Sequence, residues 1–91
     1  MESSEVSLHE AKVWRALKSS KGWMSNADIG RKTTDVAPRT VRAHVKKLAG
    51  LGLIDTLEVF PRHMYRVAGK HEKRNSAYTN RLNMAEKVLL G

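Results

Sequence analysis

Pro38-Arg39-Thr40-Val41-Arg42-Ala43-His44-Val45-Lys46-Lys47-Leu48-Ala49-Gly50 is the stretch that decides the fold. Val41, Val45 and Leu48 recur at i, i+4 and i+7, within roughly 60° of one another on a helix that advances about 100° per residue. Arg39, Arg42, Ala43 and Lys46 recur at i, i+3, i+4 and i+7 and centre on the far side. The spacing predicts a helix over 38–50 with one aliphatic face and one basic face. Ala43, small and central on the basic face, lets the helix backbone approach another surface closely. Pro38 suits the first turn, where its missing N–H would be unpaired in any case. An idle solvated face is the plain alternative, but residues 36–54 hold no Asp or Glu to make i,i+4 pairs.

Upstream, Ser7-Leu8-His9-Glu10 has the form of a capping box, and Leu8, Ala11, Trp14 and Leu17 follow at three-residue steps. A helix over about 8–19 is expected, ended by Ser19-Ser20-Lys21-Gly22. Trp23-Met24 suits a very short strand. Ser25-Asn26-Ala27-Asp28 opens a second helix over about 26–32, with Asp28 in the box position and Ala27 and Ile29 turned inward. Thr33 to Ala37 is a turn, with Thr34 or Asp35 as candidate caps because Ala37 has no side-chain acceptor. Downstream, Gly52 is a natural helix stop. Leu57 and Val59 alternate before Pro61-Arg62-His63, and Tyr65 and Val67 alternate after it. Both runs read as half-buried strands of one β-hairpin, with Arg62 and His63 at its tip and Arg66 on the return strand.

Ninety-one residues make one domain with a modest core, burying about 60–65% of the unfolded surface. With 41% hydrophobic residues the chain is not generically disordered. The absence of cysteine excludes disulfides and thiolate metal sites, and suits a reducing compartment. No apolar stretch approaches a membrane span, and the acidic N-terminus is unlike a secretory signal. A cytoplasmic protein with no membrane partner is expected. The net charge is +8, from 17 Lys and Arg against 9 Asp and Glu. Residues 12–47 carry ten of those cations against Asp28 and Asp35, and residues 62–81 form a second basic block. Two cationic blocks fit a bipartite surface for a polyanion. The acids are scattered, the four His share no paired spacing, and there is no Gly-rich phosphate loop. Enzymatic activity, cofactors, metals and a small-molecule ligand are therefore not expected, and His44 and His63 read as surface residues.

The stretch from Met24 to Val67 resembles the winged helix-turn-helix domains of prokaryotic transcription regulators. The residues that carry the likeness are Ser25 to Ile29, Pro38 to Leu48 and Gly52-Leu53-Ile54, and their order is more specific than any one of them. The resemblance implies an α+β, mainly α fold: a three-helix bundle with a β-hairpin wing, plus a C-terminal helix. It also implies double-stranded DNA as partner, with helix 38–50 in the major groove. Arg39 and Arg42 become base-edge candidates beside Ala43, and Thr40, Lys46 and Lys47 phosphate contacts. Ser25 and Asn26 would hold a phosphate at a helix N-terminus. The wing would set Arg62, His63 and Arg66 along the backbone or minor groove. Phe60 either packs or touches the groove, whereas Trp14 and Trp23 read as core. A sequence-specific regulator, a module for replication, partition or recombination, and a protein-interaction winged helix are the functions in view; the basic helix opposes the last.

The domain is expected over 1–69, followed from 70 by a basic segment (Ala68 to Arg74 being turn-prone) that is either a linker or a second phosphate-binding strip, and by a helix over about 76–90. Tyr78, Leu82, Ala85 and Leu89 fall at i, i+4, i+7 and i+11. Such a stripe needs a partner, because a helix of about 15 residues is marginal alone. It either folds back on the first helix or pairs with its copy. The symmetric dimer is preferred, since two modules would read two half-sites.

Overall fold

The computed structural model describes residues 6–20, 22–33, 35–69 and 74–91. The chain runs α1 (Leu8–Ser19), β1 (Met24–Ser25), α2 (Asn26–Lys32), α3 (Pro38–Gly50), β2 (Ile54–Val59), β3 (Arg62–Val67) and α4 (Ser76–Leu90). Local chemistry sets the ends of these helices. The Ser7 hydroxyl accepts from the Glu10 N–H at 3.1 Å. Ser25 and Asp28 form a reciprocal capping box, each side chain bonded to the other's backbone N–H at 3.1 Å. Asn75 caps α4 through its side chain and the Tyr78 N–H. At α3, Ala37 is the N-cap and makes no side-chain bond, and Asp35 pairs with Lys12 instead of capping. Thr34 lies outside the described residues.

The end of α3 requires glycine. The Gly52 N–H reaches the Ala49 carbonyl at 3.0 Å and the Leu53 N–H reaches that of Leu48 at 3.1 Å, satisfying carbonyls the helix leaves open. This closure puts Gly52 at φ +79°, where a side chain is strained, and a Cβ there would also lie 3.3 Å from Arg74.

The sheet is antiparallel in the order β1-β3-β2. Met24 pairs with Tyr65, and Ile54 with Val67, through to Val59 with Arg62. The turn is Phe60-Pro61, so Arg62 and His63 open β3 rather than forming the tip. Alternation then assigns the faces. Ile54, Tyr65 and Val67 face the helices, with Ile54 buried and the other two packed against the core. Leu57 and Val59 fall on the outer face, 41% and 51% exposed. The expectation that they are the buried positions of the first strand is therefore corrected. In β2 the inward partners of Tyr65 and Val67 are Thr56 and Ile54.

One core joins the four described helices: Val13, Trp14 and Leu17 of α1, Ile29 of α2, Val41, Val45 and Leu48 of α3, and Tyr78 and Leu82 of α4. Ala27 is exposed, against the expectation that it turns inward with Ile29. Helix α4 lies on α1. The Trp14 indole N–H donates to Asn83 Oδ1 at 3.0 Å, and Glu86 pairs with Arg15 at 2.9 Å and Lys18 at 2.6 Å. Burial alone would raise the Glu86 carboxyl, but the hydrogen bonds from Lys18 and Arg15 outweigh it and hold the group below its usual range.

Tyr78 and Leu82 are thus spent within the chain. This corrects their assignment to a dimer seam: α1 offers a continuous apolar face of its own, and packing in cis avoids the entropy of association. Ala85 is half-buried, while Leu89, Met84 and Val88 remain exposed.

Candidate nucleic-acid interface

The amphipathic division of α3 is realised. Val41, Val45 and Leu48 are at most 1% exposed, whereas Arg39, Arg42, Ala43 and Lys46 are on the surface. Among the described residues, Arg39, Arg42 and Lys46 have no acidic partner within salt-bridge distance, so their charge is unneutralised. Thr40 is half-buried at the edge of this face.

A shallow cleft between α2 and α3 is lined by Asn26, Ala27, Gly30, Arg31, Val36, Pro38 and Arg42. Ala27 and Gly30 keep its α2 wall low, which admits a convex ligand. A second hollow joins the start of α2 to the hairpin, lined by Ser25, Asn26, Ala27, Asp28, Arg31, Pro61, Arg62 and His63. Together they form one surface running from Arg42 past α2 to Arg62. Arg31, which the sequence reading passed over, borders both hollows and pairs with Asp28. Its signal was faint: a cation one turn after a capping Asp looks like helix-end compensation.

Three expected contacts are placed elsewhere. Lys47 turns back toward α1 and α4, where its ammonium meets Glu10 Oε1 at 3.1 Å and lies 5.2 Å from the Tyr78 ring centroid. Tyr78 and Glu10 hold its pKa above the usual value. It stabilises the bundle and is withdrawn as a phosphate contact. Ser25 is buried with its hydroxyl used in the capping box, and the Asp28 carboxylate already sits at that helix end, so the Ser25 side chain is not free for a phosphate. The N–H of Ser25 keeps the Asp28 carboxyl below the usual carboxylate range. Arg66 sits at the hairpin base, 4.4 Å over the Trp23 ring and 3.7 Å from Asp55. Trp23 is accordingly a half-buried platform on the outer sheet face rather than core, while Trp14 is fully buried.

Glu10 is 2% exposed and is the hub of a polar cluster. It accepts from the Tyr78 hydroxyl and from Lys47, and His44 Nδ1 lies 3.8 Å away. Burial lowers the His44 pKa more than Glu10 raises it, so neutral imidazole is favoured. His44 is therefore half-buried and turned toward Glu10 of α1 rather than fully on the surface. His63 is exposed and 3.3 Å from Glu58. Arg74 pairs with Asp55 at 3.8 Å, and the rest of the expected phosphate strip, residues 70–73, lies outside the described residues.

Three helices, a short β1 and a hairpin after the third helix, in the order β1-β3-β2, decide the architecture. The chain is a winged helix-turn-helix domain. No family model matches the sequence, and no curated protein matches it. Solved structures match the fold. BpsR of Bordetella bronchiseptica, whose DNA binding is regulated by 6-hydroxynicotinic acid, aligns over 99% of this chain and 77% of its own at 15% identity, TM-score 0.65. A MarR-family regulator from Neisseria meningitidis aligns over 92% and 60% at 20% identity, TM-score 0.61. Human N-acetylserotonin methyltransferase shares the fold over 71% of this chain but only 18% of its own, at 14% identity and TM-score 0.59. The winged-helix chain thus spans from under a fifth to about three quarters of the proteins it matches. Among its described residues no helix is long and apolar enough to cross a membrane.

Proposed function

We propose that this winged helix binds double-stranded DNA as a sequence-specific transcriptional regulator. The observation that carries the reading is the unneutralised α3 face, where Arg39, Arg42 and Lys46 surround Ala43 with no acid among the described residues. The likeness in fold to BpsR, a protein whose DNA binding is regulated by 6-hydroxynicotinic acid, supports it. Helix α3 enters the major groove, with the N-terminal Arg39 and Arg42 at base edges. An Arg fork matches O6 and N7 of guanine and discriminates by about 1–3 kcal/mol. Lys46, Thr40 and Arg31 meet flanking phosphates, and Arg62 and His63 carry the contact onto the neighbouring groove. Ala43 allows the helix axis to sit close to the base pairs.

Two copies read two half-sites. The residues left to join them are the exposed Met84, Val88 and Leu89 with the half-buried Ala85, not Tyr78 and Leu82. Dimethyl sulfate probing of a duplex selected by the protein from a random pool tests the reading. Protection of guanine N7 in one or two half-sites is expected. Failure to select any duplex, or binding with every N7 reactive, would remove α3 from the major groove.

A further inference from the structure

Phe60 is 93% exposed at the apex of the hairpin, the most exposed large hydrophobic residue described. Nothing in the fold accounts for an aromatic there, since Pro61 beside it is exposed and Val59 behind it is half out of the core. The apex also stands clear of the body. Strand β1 supports β3 only at Met64 and Tyr65, so Glu58-Val59 and Arg62-His63 form a two-stranded overhang. At about 3.3 Å per residue, the two rungs and the turn project roughly 10 Å. The minor groove is about 7.5 Å deep, so the apex side chain of such a ribbon reaches its floor once the groove is opened.

We infer that Phe60 is a wedge: its ring enters between two stacked base pairs from the minor groove and kinks the duplex beside the α3 site. The inference rests on the DNA-binding reading and deepens it. Apolar side chains inserted at a base step unstack it and bend the duplex by about 20–90° toward the major groove. Three features select DNA over a protein partner. Arg62 follows the apex directly, exposed, and lines the same hollow as Arg31, so the wedge is continuous with the cationic surface of α2 and α3. The one acid of the overhang, Glu58, has His63 at 3.3 Å, which softens its repulsion of phosphate. Further apolar residues of the outer sheet face, Leu57, Val59 and Met64, sit behind the apex where they would line a widened groove, with Trp23 in the same hollow under Arg66. Pyrimidine–purine steps kink most easily, so such a step is expected under the wing.

The test uses the whole protein and a duplex it selects itself, with 2-aminopurine placed at successive steps and end labels that report bending. The wild type is expected to bend the duplex and to raise 2-aminopurine fluorescence at one step. Phe60→Ala is expected to abolish both and to weaken binding about tenfold. Phe60→Trp retains all three effects. Because the ring is almost fully exposed, the melting temperature of Phe60→Ala stays close to the wild-type value. Tight binding without bending or fluorescence change, or a bend that survives Phe60→Ala, overturns the wedge and leaves DNA binding intact. Altered self-association on Phe60→Ala with unchanged bending shows a protein contact and also overturns it. Failure to select any duplex overturns both readings.

Discussion

Leu82→Ala tests whether α4 belongs to the folded unit of its own chain. Leu82 is fully buried in the cluster with Val13, Trp14, Leu17 and Tyr78, so truncation leaves a cavity on the α1 side. Leu→Ala at such sites costs about 2–5 kcal/mol, with the spread set by how far the surroundings collapse. Collapse is limited here, because Glu86 paired to Arg15 and Lys18, and Asn83 bonded to Trp14, fix the spacing of α1 and α4. A cost near 3 kcal/mol is expected. A domain of this size has about 5–14 kcal/mol in total, so the loss is a large fraction of it. It lowers the melting temperature by about 12–24 °C. Urea unfolding followed by tryptophan fluorescence measures it, with Asn80→Ala, at an exposed position of α4, as the control near zero. The measurement is repeated on samples diluted until sedimentation shows a monomer. A loss below about 1 kcal/mol, or one that vanishes in the monomer, would put Leu82 in a seam between copies and refute the cis packing.

Arg42→Ala should relax sequence preference at one base position, costing about 1–3 kcal/mol on the preferred site; an unchanged profile in a selection assay removes it from the readout. Arg62→Ala should weaken all duplexes alike and make the salt slope shallower by about one unit, and an unchanged slope would mean the wing is idle. The folded His44 titrates below its ordinary 6.5, so the unfolded chain binds the extra proton and stability falls as pH drops through that value. Glu86, held below its ordinary 4.5, contributes stability above that pH and loses it as pH falls through the depressed folded value. His44→Gln should flatten the first slope and Glu86→Gln the second in denaturant titrations across pH. Slopes unaltered by these changes would show that other groups carry the acid sensitivity.

The helices were legible because their signals are local. Caps at Ser7 and Ser25, Pro38 at a first turn and the 3.6-residue rhythm of α3 act within one or two turns of chain. The buried and basic faces of α3 followed from the same rhythm. What escaped the sequence depends on neighbours. Alternation in β2 shows two faces but does not say which is inward, and the β1–β3 register decides that against Leu57 and Val59. Lys47 lies close to the basic stripe in sequence, yet buried Glu10, thirty-seven residues away, draws it to the opposite side. Tyr78 and Leu82 formed a stripe with two equivalent destinations, and α1 offered the nearer one. Arg66 read as a wing cation, but Trp23 and Asp55 hold it at the hairpin base.

The central claim is that the outward face of α3 is a polyanion contact. The most direct measurement is duplex affinity against salt for the wild type and for Arg39→Ala/Arg42→Ala/Lys46→Ala, three exposed positions whose change leaves the core intact. The account predicts salt-sensitive binding by the wild type, and in the variant weaker binding with lost sequence preference and a slope shallower by about one unit, for the Lys46 phosphate contact, at similar thermal stability. A wild type that retains no duplex at low ionic strength, or a variant with the same slope and affinity, would contradict it.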